Sequence, residues 1–324
     1  MPLFTRQELE DATRLVQSVM PATPQYVWPL LSQAAGASVW VKHENHTPIG
    51  AFKIRGGITF IDWLRRAHPD MRGVCTATRG NHGQSQARAA VAAGLSARIY
   101  APHGNSVEKN AAMRAFGADL VEFGDDFETA RDEAVRYAGD NGLAVVPPFH
   151  RELVRGVASY AYELFQAVPD LDTVYVPIGC GSGICGTIAA RDALGLKTRI
   201  VGVVSTLADC TKRSVEAGRM IETDSANTFA DGIALRAPVA EALAIYGPGT
   251  ERIVAVSDDE VAQAMRLIFR TTHNVAEGAA AASVAALMQE RAAMQGRNVA
   301  VILSGGNVDT DVFAQVLAGH TPQV

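Results

Sequence analysis

"TPIGAFKIRGG", residues 47–57, sets a single amine, Lys53, between Phe52 and Ile54 in a stretch otherwise fit for burial. Burying the charged form of an amine is costly unless the charge is paired or neutralised. Two arrangements satisfy such a lysine. Its stem can pack along apolar neighbours while its head reaches water, or the amine can be kept neutral and nucleophilic, as a Schiff-base lysine must be. The segments on either side decide between them.

Outward from Lys53 the hydrophobic pattern alternates. Short β-rich runs, "GVCTAT" (73–78), "SARIYA" (96–101), "DTVYVPI" (172–178), "TRIVGVV" (198–204) and "NVAVILS" (298–304), are separated by amphipathic, alanine-rich helical stretches. That order predicts an α/β fold of mainly parallel sheets flanked by helices on both faces. Thr5 with Glu8 three residues on is a capping box that opens the first helix. The turn-rich "ENHTPIG" (44–50) and "PPFHREL" (147–153) mark two crossovers. They divide the chain into a large cofactor-binding domain, 1–47 plus 148–324, and an inserted substrate-side domain, 48–147. In such folds ligands collect at the carboxyl ends of the strands, in the cleft.

Composition narrows the partners. The chain has 324 residues, 48% of them hydrophobic, and a formal charge of −5 with no basic stripe interleaved with aromatics, so a small molecule is expected rather than nucleic acid. No run of about 18 apolar residues calls for a membrane span, and the N-terminus has no charged region followed by an apolar one. A cytoplasmic protein is expected. Cys75, Cys180, Cys185 and Cys210 form no CxxC pair and have no matching histidine spacing, so reduced thiols are expected and no metal site.

Three strand ends carry polar or glycine-rich turns. "GCGSGICG" (179–186) lies between a strand and a helix, where inward-turned N–H groups and the positive helix end suit a phosphate, although such a turn can be purely structural. It is not the dinucleotide fingerprint, because the next strand, "TRIVGVVS", brings no carboxylate. "TRGNHGQS" (78–85) places Asn81 and His82 at a helix start, where they either cap the helix or reach a ligand. "LSGGNVD" (303–309) ends a strand with Ser304 and two glycines that admit a close neighbour.

The series AFKIRGG, GNHGQ, glycine loop and LSGGN, in that order from about residue 20 to 315, resembles the fold-type II pyridoxal-phosphate enzymes, in particular the threonine/serine dehydratase and serine racemase branch of the tryptophan synthase β-like fold. The resemblance implies pyridoxal 5'-phosphate held as a Schiff base by Lys53, with Phe52 beside the ring and Asn81 on the ring hydroxyl. It further implies Gly179, Cys180, Gly181, Ser182 and Gly183 around the phosphate, Ser304 facing the pyridine nitrogen, and a homodimer. Thr78, Arg79 and His82 are the implied substrate contacts, and Lys53 the base. A serine opposite the ring nitrogen, rather than a carboxylate, leaves that nitrogen largely unprotonated and favours expulsion of a β-hydroxyl. The expected activity is loss of water from threonine or serine to give a 2-oxo acid and ammonia. 3-Hydroxyaspartate, a hydroxylated diamino acid from hydroxyectoine breakdown, and amino-acid racemisation are the alternatives.

Three departures qualify the resemblance. Arg79 stands where racemases present a serine that reprotonates the opposite face. Val204 and Cys210 occupy positions of acidic ligands in metal-activated members. "VAEGAAA" (275–281) replaces the usual glutamate-proline pattern, which predicts a different placing of Glu277. The chain also ends soon after LSGGN, where feedback-regulated dehydratases continue, which implies a catabolic or unregulated enzyme.

Overall fold

The structure, a computed structural model, describes residues 2–323. Ten strands form two sheets: β1 (Gln25–Val27), β2 (Ser38–His43), β3 (Gly73–Ala77), β4 (Ser96–Ala101), β5 (Asp119–Glu122), β6 (Ala144–Val145), β7 (Thr173–Pro177), β8 (Arg199–Ser205), β9 (Arg252–Val256) and β10 (Asn298–Leu303). The larger sheet runs in the order β1-β2-β10-β7-β8-β9 and the smaller in the order β5-β4-β3-β6. Every pairing is parallel except β1 with β2. This is the α/β, tryptophan synthase β-like architecture expected from the alternation of strands and helices. The smaller sheet is drawn from residues 73–145 alone, and strands of the larger lie on both sides of it in the chain.

The five β-rich runs all appear as strands within a residue or two of their expected ends. The others are short edge strands, apart from β2. In β2 the apolar pattern is broken by Lys42 and His43, both buried. The first helix, Arg6–Gln17, starts as its capping box dictates, with the Glu8 amide donating to Thr5 Oγ1 at 3.2 Å and the Thr5 amide donating to Glu8 Oε2 at 2.8 Å.

The residues after Lys53 explain how its helix is seated. Helix Lys53–Ala67 packs between Asn81–Ala92 and Arg151–Ala167, and glycines let the three backbones meet. A Cβ on Gly57 would lie 2.3 Å from Ser85 Oγ, one on Gly56 2.8 Å from the Leu153 carbonyl, and one on Gly156 2.1 Å from the Arg55 carbonyl. Arg55 itself is fully buried. Its guanidinium donates to Glu44 at 2.7 and 3.0 Å, to both oxygens of Glu163 at 2.9 Å, to Ser159 Oγ at 2.9 Å and to Thr23 Oγ1 at 3.1 Å. Lys42 completes the group, donating to Glu163 at 2.7 Å and to the Thr23 carbonyl at 3.0 Å. Two cations and two carboxylates thus neutralise each other out of water, joining β2, the turn after it and two helices.

Removing one partner from a buried network strands the others, at a cost of about 3–5 kcal/mol. Arg55→Met is therefore expected to lose stability of that order in urea denaturation. Arg55→Lys, which keeps the charge but not the forked geometry, is expected to fall between it and the wild type.

Candidate active site

The carboxyl ends of β2, β3, β7 and β10 open toward one place, and each continues into a segment already singled out by its sequence. From β10, residues 304–306 pair back onto residues 50–52. The Phe52 amide donates to the Ser304 carbonyl at 2.9 Å, the Gly306 amide donates to the Gly50 carbonyl at 2.9 Å, and Ala51 bridges Gly305. Lys53 therefore begins its helix beside the end of β10, with Phe52 as the residue before it. The Phe52 ring stands edge-on to Tyr160, centroids 6.1 Å apart, and lies 5.0 Å from the Lys53 amine.

Lys53 Nζ donates to Ser182 Oγ at 3.1 Å. Burial lowers its pKa from the ordinary lysine value, against smaller opposing pulls from Cys180 and Glu277. Two other lysines are withdrawn from water, and both are matched to carboxylates: Lys42 to Glu163 and Lys109 to Asp231. Lys53 bonds a hydroxyl instead. Burial lowers the Lys42 pKa as well, but Glu163 opposes the shift through a direct ion pair, whereas no carboxylate bonds the Lys53 amine.

Ser182 is the first residue of helix Ser182–Ala193, which has no side-chain cap. Its opening N–H groups are left to whatever lies in front of them. Gly181 adopts a left-handed conformation with φ 97°, and a Cβ there would sit 2.7 Å from Ala242 Cβ. A Cβ on Gly179 would lie 2.3 Å from the Gly232 carbonyl. Tyr160 Oη and Thr187 Oγ1 both donate to the Gly183 carbonyl at 2.9 Å, fixing the first turn. Cys180 is a free, partly exposed thiol in the same loop, its pKa raised by desolvation. An uncapped helix end next to an amine whose pKa burial lowers suits a phosphate-bearing aldehyde, so the residues present fit pyridoxal phosphate.

The turn after β3 is held from within. Thr78 Oγ1 accepts the Gly80 amide at 3.0 Å and the Gly83 amide at 3.3 Å, which leaves its own proton free to donate. Asn81 starts helix Asn81–Ala92 but does not cap it. Its Nδ2 donates to both oxygens of Glu277, at 2.9 and 3.0 Å, and its Oδ1 accepts Asn307 Nδ2 at 2.8 Å. His82 has a buried Nε2 with no partner among the described residues. Burial, and Lys53 beside it, push its pKa down to about 3, so it meets a ligand as a neutral ring. Arg79 is exposed between buried Thr78 and Gly80 and is not drawn into this group. Its charge reaches Asp126, whose carboxyl is held down first by the Thr129 amide and then by Arg236 and Arg79.

Glu277 is followed by Gly278 rather than by a proline. It precedes helix Gly278–Gln289, and its carboxylate faces Asn81. Glycine at 278 admits Ala230, whose Cα would be 2.9 Å from a Cβ there. The two glycines of LSGGN likewise serve the protein itself, since a Cβ on Gly305 would lie 2.5 Å from Glu277 Oε1. Burial raises the Glu277 pKa to about 7, Lys109 opposes this, and Asp231 adds to it. Lys109, Asp231 and Asn307 escaped sequence reasoning. The one signal in the sequence is an asparagine at a helix start, and the structure shows that it does not cap and has its partners elsewhere. Val204 is buried in the core, and the Cys210 thiol faces the Leu235 carbonyl at 3.2 Å.

Known proteins resemble this chain in sequence and fold. The model of the pyridoxal-phosphate dependent enzyme family matches residues 17–305. L-threonine ammonia-lyase of Thermotoga maritima is 30% identical over 316 residues, 97% of this chain and 78% of that protein. L-threo-3-hydroxyaspartate ammonia-lyase of Saccharomyces cerevisiae is 28% identical over 97% of both chains. Among solved structures, maize serine racemase superposes with a TM-score of 0.90 at 25% identity, covering 97% of each chain. With Lys53 at the open end of the glycine turn and a family match over most of its length, this chain belongs to the pyridoxal-phosphate dependent enzymes.

Proposed function

We propose that this chain is an ammonia-lyase that removes water from a small β-hydroxy amino acid, threonine or serine, and releases a 2-oxo acid and ammonia. The observation that carries this reading is the Lys53 amine, its pKa lowered by burial and its hydrogen bond made to the Ser182 hydroxyl rather than to a carboxylate. Pyridoxal phosphate, when bound, supplies the electron sink that lets a proton leave the amino acid's α-carbon. Lys53 Nζ is the group that takes this proton. Gly179, Cys180, Gly181, Ser182 and Gly183 hold the phosphate through backbone N–H groups. Phe52 walls the site, Asn81 meets the ring hydroxyl with an amide already oriented by Glu277, and Ser304 faces the ring nitrogen. Thr78, through its free proton, and His82, as a neutral donor, receive the substrate carboxylate, with Arg79 outside them at the mouth of the cleft.

Two relatives carry the names of ammonia-lyases for different β-hydroxy amino acids, which supports the reaction more strongly than the choice of substrate. The yeast relative, matched over 97% of both chains, favours 3-hydroxyaspartate as the second reading. The same proposal includes a cytoplasmic homodimer acting in amino-acid catabolism. It is supported by the four free thiols and by the apolar surface that Tyr26 and Leu30 expose near edge strand β1. Among the described residues no helix is long and apolar enough to cross a membrane.

A panel of threonine, serine, 3-hydroxyaspartate and hydroxylated diamino acids, scored by 2-oxo acid release, tests the function. Threonine or serine is expected to turn over fastest, and release from none of them would overturn the reading. Borohydride reduction of the holoenzyme is expected to fix the cofactor on Lys53, and Lys53→Ala to lower kcat by about 100-fold to 10,000-fold. A label on Lys42 or Lys109 would refute the assignment. Chelation by EDTA is expected to change neither activity nor melting temperature, because Val204 has no ligand atom and Cys210 is a soft one. Because a guanidinium stays protonated and cannot act as an acid, D-enantiomer should accumulate far more slowly than 2-oxo acid. Equal rates would show that Arg79 does not prevent reprotonation.

A further inference from the structure

Lys109 lies outside the residues assigned above, yet three strands of contact meet at it. It sits on helix Val107–Ala115 and is 8% exposed. Its ammonium donates to Asp231. Its stem lies against the turn that carries Thr78 and Asn81, where a Cβ on Gly80 would come within 2.5 Å of Lys109 Cδ and 3.3 Å of Cγ. On the far side, Asp231 opens the turn Asp231–Ile233, whose Gly232 carbonyl abuts Gly179 of the glycine loop. One side chain thus spans from the turn after β3 to the loop after β7. The same helix start is docked twice more, by Ser106 Oγ donating to Asp309 and by the Thr310 amide donating to Glu108 at 2.9 Å.

We propose that Lys109 is a positioning residue for the elimination, clamping the Thr78–Asn81 turn at a fixed distance from the glycine loop through Gly80 and Asp231. Resting on the proposed lyase activity, this assigns the spacing between the substrate side and the phosphate side of the site to one buried ammonium. The charge has a second effect, on Glu277. The groups facing that carboxyl are Lys109, Asp231, Asn81 and Lys53. As a carboxylate it accepts Asn81 Nδ2 on both oxygens; once protonated it loses one acceptor face and Asn81 loosens. Since the folded-state pKa is raised to about 7, the Asn81 contact is complete above that pH and fails as pH falls through it. Lys109 favours the carboxylate and Asp231 disfavours it.

The two partners therefore make opposite forecasts from one shared loss of clamping. Lys109→Met keeps the stem and removes the charge. It is expected to lower kcat/KM roughly tenfold or more and to move the acid limb of the pH profile upward by about one unit. Asp231→Asn is expected to lower kcat/KM as well, but to move the acid limb downward. Glu108→Ala, which removes the acceptor of the Thr310 amide and so loosens the same helix without changing charge near Glu277, is expected to leave the limb where it is. Hydrogen exchange on the cofactor-free protein gives a readout independent of turnover: amides of residues 78–83 and 107–115 should exchange faster in both Lys109→Met and Asp231→Asn. Wild-type exchange in both variants would overturn the clamp. Limbs that shift in the same direction, or not at all, would overturn the role of the charge. Failure of the wild type to release any 2-oxo acid would instead sink the lyase reading, leaving the exchange result to judge Lys109 by itself.

Discussion

The forked ion network of Arg55 with Glu44, Glu163 and Lys42 is the constraint on which the site depends. Arg55 lies two residues beyond Lys53 on the same helix, so wherever the guanidinium is fixed the reactive amine is fixed too. Its partners come from the turn after β2 and from helix Arg151–Ala167, with Lys42 on β2 itself. Both chain passages between the two sheets are thus tied to one buried point. Such a network adds little net stability compared with well-packed apolar residues, because both desolvation and attraction are large. What it adds here is definition: four forked contacts and two hydroxyls leave the helix one rotation about its axis. The glycines at 56, 57 and 156 then let the neighbouring backbones close on it.

How far this could be read from the sequence depends on whether the interaction is local. Lys53 was conspicuous because its apolar neighbours, Phe52 and Ile54, adjoin it in the chain. The glycine loop and LSGGN were conspicuous because strand-to-helix turns carry small residues in sequence. Strands β3, β7, β8 and β10 are legible because each is mostly a run of buried residues, and β4 because its first four residues alternate between exposed or half-buried and buried. Strand β2 was not: it holds Lys42 and His43 in the interior, and only partners brought by other elements make that tolerable. Edge strands β1, β5, β6 and β9 are short or half-exposed and leave little pattern.

The same distinction divides the site. Asn81 and Glu277 are 196 residues apart, and Lys109 and Asp231 are 122 apart. No spacing rule links them, so Glu277 was judged by the proline missing after it rather than by the asparagine in front of it. Glycine at 278 keeps Glu277 in place for a reason visible only in three dimensions, the backbone of Ala230 pressed against it. Likewise the glycines of LSGGN suggest a close neighbour, and at Gly305 that neighbour is the protein's own Glu277 carboxylate.

These long-range pairs also explain how the Lys53 pKa is lowered although a carboxylate lies near. Glu277 is the carboxylate whose field reaches Lys53 and favours its charged form. If nothing else engaged it, a direct pair with Lys53 would be the natural outcome, and such a pair would keep the amine protonated. The fold prevents this by giving Glu277 other partners. Asn81 takes both oxygens, Gly305 leaves them room, and the Lys109 charge stands nearby. Lys42 and Lys109 in turn are matched to Glu163 and Asp231. With the buried carboxylates occupied, Lys53 is left the Ser182 hydroxyl, a partner that does not hold it in the charged form.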